Sequence, residues 1–130
     1  MEFSLRARKF LEDKTVCCLA TVYSDGRPHV VPVSYIFQAG IFYVTTDYGT
    51  RKLKNIQMNN RVALVVDVYA VIRNKAVVEG VASLVERGPD FEKIYKAFHK
   101  RFSWVRLDPW REGEAPFIVI RPLGKVSWGF

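Results

Sequence analysis

Between Val16 and Thr46 the chain carries three β-favouring runs, VCCLATVY, HVVPVSYIF and IFYVTT, separated only by SDGRP and QAG. β-Branched and aromatic residues fill the runs, and Asp25-Gly26 is a strong signal for a tight reversal. Connections this short join antiparallel neighbours, because a parallel pair needs a crossover of a dozen residues or more. The segment therefore predicts a three-stranded meander. Pro28 and Pro32 flank the second run, and a proline cannot donate to a ladder. They predict an edge, a bulge or a strand that leaves one sheet for another.

Further along, RVALVVDVYAV (61–71) and KAVVEGVASLVE (75–86) read as a hairpin across IRNK, and PFIVIRPLGKVSWGF returns to strand. Gly80, in the middle of the second of these, predicts a bulge or a corner. Phe3, Ala7, Phe10 and Leu11 keep helical spacing among charged residues, which predicts a short amphipathic N-terminal helix. GPDFEKIYKAFHKRF (88–102) is the clearest helix, with Pro89 in its first turn and Asp90 and Glu92 at its positive end. Its stripe of Phe91, Ile94, Tyr95, Phe98 and Phe102 is core-like, and the helix is expected to plug or cover one end of the β structure. SWVRLDPWREGE reads as loop. About six strands with a few helices make the fold class mainly β: a small antiparallel β-barrel or sandwich, as one domain over residues 1–130, with closure favoured because it removes exposed edges.

Composition supports one core, since 49% of the 130 residues are hydrophobic and no disulfide or metal staple is needed. No apolar run has the length of a membrane span, and Met1 to Lys14 lacks a signal peptide's apolar centre, so a cytoplasmic protein is expected. Cys17 and Cys18 are adjacent and point to opposite faces of a strand, and His29 and His99 stand at no ligand spacing from them. No metal site is expected, and both cysteines are read as buried thiols in a reducing compartment. The net charge of +7 predicts anionic ligands or partners. Cations crowd Arg6 to Lys9, Arg51 to Lys54, Arg73 with Lys75, and Lys93 to Arg106, mostly as solvated surface.

One cluster is different. In TTDYGTRKLKNI (45–56) a strand hands over to a helix. Gly49 permits the turn, Thr50 is a candidate N-cap, and Leu53 and Ile56 keep helical spacing. Cations in a first helical turn oppose the dipole at roughly 0.3–1 kcal/mol each, so Arg51 and Lys52 are poorly placed for stability alone. The stretch is either a solvated helix start or an anion site, and a bound phosphate would turn the misfit into attraction. No Walker-type or dinucleotide glycine pattern accompanies it.

The succession LATVYSDGRPHVVPVSYIF, IFYVTTDYGTRKLKNIQMNNRVALVV and VVEGVASLVE resembles the pyridoxamine 5′-phosphate oxidase-like flavoproteins, whose FMN-binding antiparallel split β-barrel has this order of elements. The most specific part is TRKLKNI…NNRV, which resembles the family's Ser/Thr-Arg-Lys phosphate grip and matches it at Thr50, Arg51 and Lys52. The resemblance implies that Arg51 and Lys52 bind the FMN phosphate and that Thr45 and Thr46 line the cofactor. It implies that Val30, Val31, Pro32, Val33 and Ser34 run along the isoalloxazine and ribityl portions. It further implies a homodimer with FMN at the subunit interface. Asn74 would then reach the ring from the partner subunit, and Trp128 would either cover a flavin in the other subunit or cap a barrel end.

Two departures stand against pyridoxamine phosphate oxidation itself. Tyr35 lies where the true oxidase carries a cation, and no C-terminal Arg-x-His is present in GKVSWGF. The implied activity is a flavin-dependent oxidoreductase acting with a small-molecule electron donor or acceptor. The flavin carries the redox chemistry, so no catalytic residue is assigned. His29 is read either as a proton donor beside the ring or as a solvated histidine after a turn. A deazaflavin is the alternative cofactor, a carrier or sensor that binds flavin without turnover is an alternative role, and a basic barrel binding single-stranded nucleic acid is an alternative of another class.

Overall fold

The structure is a computed structural model that describes residues 3–67 and 74–128, with side chains through Lys125. The elements run α1 (Leu5–Asp13), β1 (Val16–Val22), β2 (Pro28–Gln38), β3 (Ile41–Thr45), α2 (Arg51–Met58), β4 (Arg61–Asp67), β5 (Lys75–Val85), α3 (Gly88–Arg101), α4 (Ser103–Leu107) and β6 (Phe117–Trp128). The strands close a barrel in the order β1-β2-β3-β6-β5-β4, and every pairing is antiparallel. The predicted strand residues 68–71, with Ile72 and Arg73 of the IRNK turn, lie outside the described residues.

The meander forms as its turns dictate. Tyr23 N donates to Arg27 O at 2.8 Å and Gly26 N donates to Tyr23 O at 2.9 Å, closing the first reversal, with Gly26 at φ 93°. The prolines mark a change of partner. Pro28 to Ser34 pairs with β1, whereas Tyr35 to Gln38 pairs with β3. Among the described pairings, Pro28 to Ser34 therefore has one edge without a ladder, a position at which prolines are tolerated in a strand.

Alternation decides the core. Leu19, Tyr35, Phe42, Val44, Val66, Val78, Ile118 and Ile120 are fully buried in one cluster inside the barrel. Ala7, Phe10 and Leu11 of α1 belong to that same cluster. Ser4 Oγ caps α1 by accepting from Ala7 N at 3.1 Å, and buried Tyr35 donates its hydroxyl to Leu11 O at 2.6 Å. The N-terminal helix is thus the element that closes the barrel, not 88–102 as its apolar stripe predicted.

Helix α3 packs instead on the outer face. Phe91, Ile94 and Phe98 form a second cluster with Phe117 and Val119, with Ile36, Ile41 and Tyr43 against it. The reason lies in β6, whose residues Phe117 to Ile120 are buried on both faces: Ile118 and Ile120 turn inward, so Phe117 and Val119 need a cover of their own. The stretch read as loop after α3 contains α4, held by buried Val105. The cysteines also separate. Cys17 is buried while Cys18 is exposed, because successive strand residues face opposite ways. Burial pushes the Cys17 thiol up to about 12.

The bulge predicted at Gly80 is present. Glu79 pairs with Gly124 and Gly80 with Pro122, so the extra residue, Leu123, lies on β6. A Cβ at Gly80 would sit 2.8 Å from both Arg121 O and Ile120 Cγ2. The backbones approach there more closely than any side chain permits.

Candidate functional site

The strand-to-helix junction forms as expected, with β3 ending at Thr45 and α2 beginning at Arg51. Gly49 adopts φ 83°, and Tyr48 donates its hydroxyl to Glu86 Oε1 at 2.8 Å, tying the loop to the end of β5. Thr50 occupies the N-cap position but makes no capping bond. Its Oγ1 donates to Asp47 O at 3.0 Å and shares a 3.0 Å hydrogen bond with Thr46 Oγ1. The N-terminus of α2 is thereby left without a side-chain cap and without an acidic residue in its first turn. This end of a helix offers N–H groups and partial positive charge to an anion.

The cations of that turn diverge. Lys52 is half-buried, and desolvation holds its ammonium pKa below the ordinary lysine value, with Asp47 pulling the other way. Arg51 is exposed and lies over Tyr23, its guanidinium 4.8 Å from the ring centroid; Arg27 covers the same ring at 4.1 Å. The ion pairs among the described residues join Lys14 to Asp13 and Arg27 to Asp25, so neither Arg51 nor Lys52 is in an ion pair there, and Asp47 acts on Lys52 without contact.

Helix α2 is aimed by a buried polar pair, Asn55 Nδ2 donating to Thr21 Oγ1 at 3.0 Å. Both side chains are almost wholly enclosed, and a buried acceptor that loses its donor carries a desolvation penalty of about 1–3 kcal/mol. Asn55→Ala is therefore expected to lower stability by about 1–2 kcal/mol in chemical denaturation. A midpoint equal to the parent's would show that the pair does not hold the helix.

A cleft of about 540 Å³ opens beside this junction. One wall is the unladdered part of β2, at Pro32, Val33 and Ser34, together with Thr45, Thr46, Asp47 and Lys52; the other is Trp104, Asp108, Pro109, Trp110, Glu114 and Ala115. Six of the expected cofactor residues thus meet in one place: Pro32, Val33, Ser34, Thr45, Thr46 and Lys52. Thr50 abuts them through Thr46, and Arg51 stands alongside on Tyr23.

Other expected residues lie elsewhere. Val30 is 63% exposed and Val31 packs on the barrel interior; neither lines the cleft, whose wall on β2 starts at Pro32. Asn74 directly precedes Lys75, which pairs with Trp128, whereas the cleft lies where Phe117 pairs with Thr45, at the other end of β6. Asn74 Oδ1 is buried without a hydrogen-bond partner, and the Trp128 side chain lies outside the described residues. His29 is half-buried and edge-on to Tyr23 at 5.8 Å, with Nδ1 unpartnered, and does not line the cleft. Tyr35, in place of the oxidase's cation, turns its hydroxyl to α1.

The second wall was missed in the sequence. A signal was present in SWVRLDPWREGE, since two tryptophans in a polar connection must find something to pack on. Among the described residues no group of three or more His, Cys, Asp or Glu side chains is arranged to hold a metal ion. No described helix is long and apolar enough to cross a membrane.

A family model described as pyridoxamine 5′-phosphate oxidase matches residues 4–123. The pyridoxine/pyridoxamine 5′-phosphate oxidase of Proteus mirabilis (strain HI4320) is 27% identical over 113 residues, covering 85% of this chain and 49% of that protein. The 5a,11a-dehydrotetracycline/5a,11a-dehydrooxytetracycline reductase of Streptomyces rimosus is 39% identical over 71 residues, covering 52% of this chain and 50% of that protein. The chain spans about half the length of the curated relatives it matches. Among solved structures, HutZ, the heme storage protein from Vibrio cholerae, superposes with a TM-score of 0.81 at 20% identity, covering 97% of this chain and 94% of that one. An FAD-binding protein from Mesorhizobium loti gives a TM-score of 0.77 at 22% identity, covering the same 97% and 94%. At these identities the structural likeness carries the fold.

Proposed function

The chain belongs to the pyridoxamine 5′-phosphate oxidase family, and from that premise we propose that it binds FMN in the cleft beside α2, as a homodimeric flavin-dependent oxidoreductase. The observation that carries this reading is Lys52: an ammonium partly withdrawn from water, in no ion pair among the described residues, beside an uncapped helix N-terminus and two threonine hydroxyls. A cation held there at a cost is accounted for by an anion that repays it. In this reading Lys52 takes the phosphate charge, and Thr46 and Thr50 turn their hydroxyls from each other and Asp47 O to the phosphate. Arg51, fixed by Tyr23, adds charge alongside, and the free edge of β2 from Pro32 to Ser34 flanks the rest of the cofactor. Bound FMN supplies hydride chemistry. Trp128 ends β6 and Asn74 precedes Lys75, its partner on β5, both away from the cleft in their own chain, so in this reading any contact they make with the flavin comes from the partner subunit.

Titration with FMN and with riboflavin, followed by flavin fluorescence and the visible spectrum, tests the reading. Two charge-assisted hydrogen bonds at roughly 1.5–3 kcal/mol each predict FMN binding at least about 100-fold tighter than riboflavin. Equal affinities would move the phosphate away from Lys52, and failure of both to bind would remove the flavin. A deazaflavin preferred over FMN would assign the cleft to the alternative cofactor. A Soret band on adding haemin, without flavin binding, would replace flavin by haem.

A further inference from the structure

We propose that the second wall of the cleft, the stacked indoles of Trp104 and Trp110 with the carboxylates of Asp108 and Glu114, is a subsite for a flat organic cation. The ligand class is a protonated or quaternary nitrogen heteroaromatic. The proposal rests on the flavin reading only in making this cation a substrate; its binding follows from the wall's own chemistry.

The two indole rings lie 6.0 Å apart and 10° from parallel. They are not a loose surface pair. Trp110 stands edge-on to Tyr95 at 5.0 Å and packs on Phe117 at 5.8 Å, and its backbone N–H donates to the Tyr95 hydroxyl at 3.3 Å. Trp110 Nε1 is buried without a hydrogen-bond partner. Helix α3 and β6 thus hold Trp110 rigid, and Trp110 holds Trp104, which keeps 40% of its surface exposed. A preorganised indole face attracts a cation through its quadrupole and a flat ring through stacking.

Charge points the same way. Asp108 and Glu114 line the cleft, joined by Asp47 across it, and Lys52 is the one cation among the described residues lining it. Neither Asp108 nor Glu114 is in an ion pair among the described residues. Glu114 Oε1 accepts from Arg111 N at 3.1 Å, a single bond that leaves most of the carboxylate's acceptor capacity unused. In a protein of net charge +7, unpaired acids gathered against two tryptophans are a departure from the surroundings. One cleft therefore presents an anion-binding wall and a cation-binding wall.

The test is a titration of the purified protein with 1-methylnicotinamide, a flat cation, and with nicotinamide, its neutral counterpart, read by tryptophan fluorescence and calorimetry with and without saturating FMN. The cation is expected to bind about tenfold tighter. Asp108→Asn with Glu114→Gln is expected to equalise the two, and Trp104→Leu to weaken both. Equal affinities in the parent, or a preference that survives removal of both acids, would overturn the proposal. Cation preference without FMN binding would leave the subsite standing and the flavin reading fallen. FMN binding without cation preference would do the reverse.

Discussion

Lys52→Met is expected to weaken FMN binding by about one to two orders of magnitude, the effect of losing a charge-assisted hydrogen bond worth roughly 1.5–3 kcal/mol in a partly dry site. The same substitution leaves the free protein as stable as the parent or more so, because what it removes is a desolvated ammonium in no ion pair among the described residues. A lysine whose pKa is lowered by folding costs stability at neutral pH, and that cost lifts as pH rises through the lowered value towards the ordinary one. For the ligand the sign reverses. Affinity falls with rising pH, beginning below the usual lysine range, since the free protein loses the charge first. Calorimetry of FMN binding across alkaline pH, with thermal melts of both proteins, checks this: the parent shows the decline and Lys52→Met is flat. A variant that binds FMN like the parent would place the phosphate elsewhere.

Gly80→Ala lowers stability by about 2 kcal/mol, a typical cost of forcing an extra methyl group into a filled space, and the thermal midpoint by roughly 6–10 °C. The new Cβ would stand 2.8 Å from a backbone oxygen, Arg121 O, and from Ile120 Cγ2. A carbonyl oxygen within the ladder cannot step aside as a surface side chain can. Gly124, across the same bulge, has open space around an added Cβ, so Gly124→Ala is expected to move the midpoint little. Paired melts decide it: if Gly80→Ala melts with the parent, the close approach does not constrain the barrel.

Much of this was legible locally. Strand alternation, the Asp25-Gly26 reversal, the helical spacing of Leu53 and Ile56 and the two misfitted cations all depend on neighbours within a few residues. That is why β1 to β3 and the β3–α2 junction formed where the residues predicted. Gly80 announced its bulge for the same reason, although which strand carries the extra residue depends on β6. The amphipathic stripe of α3 and that of α1 were both visible, but a stripe states only that a face will be covered, not by what. Residue order along β6 settled that, by burying Phe117 and Val119 on one side and Ile118 and Ile120 on the other.

The candidate site divides along the same line. Its wall from Thr45 to Lys52 is contiguous in the chain; turn chemistry with helix polarity narrowed that stretch to an anion site or a solvated helix start, and the family resemblance is what implied a phosphate there. Its aromatic and acidic wall is more than fifty residues away, from Trp104 to Ala115, and reaches the first only because β6 pairs with β3 at Phe117 and Thr45. The divergence of Arg51 onto Tyr23 and the turning of Val31 into the core likewise depend on packing between segments distant in sequence. Short-range periodicity and backbone chemistry are written residue by residue; which distant faces meet is set by closing the barrel, a property of all six strands together.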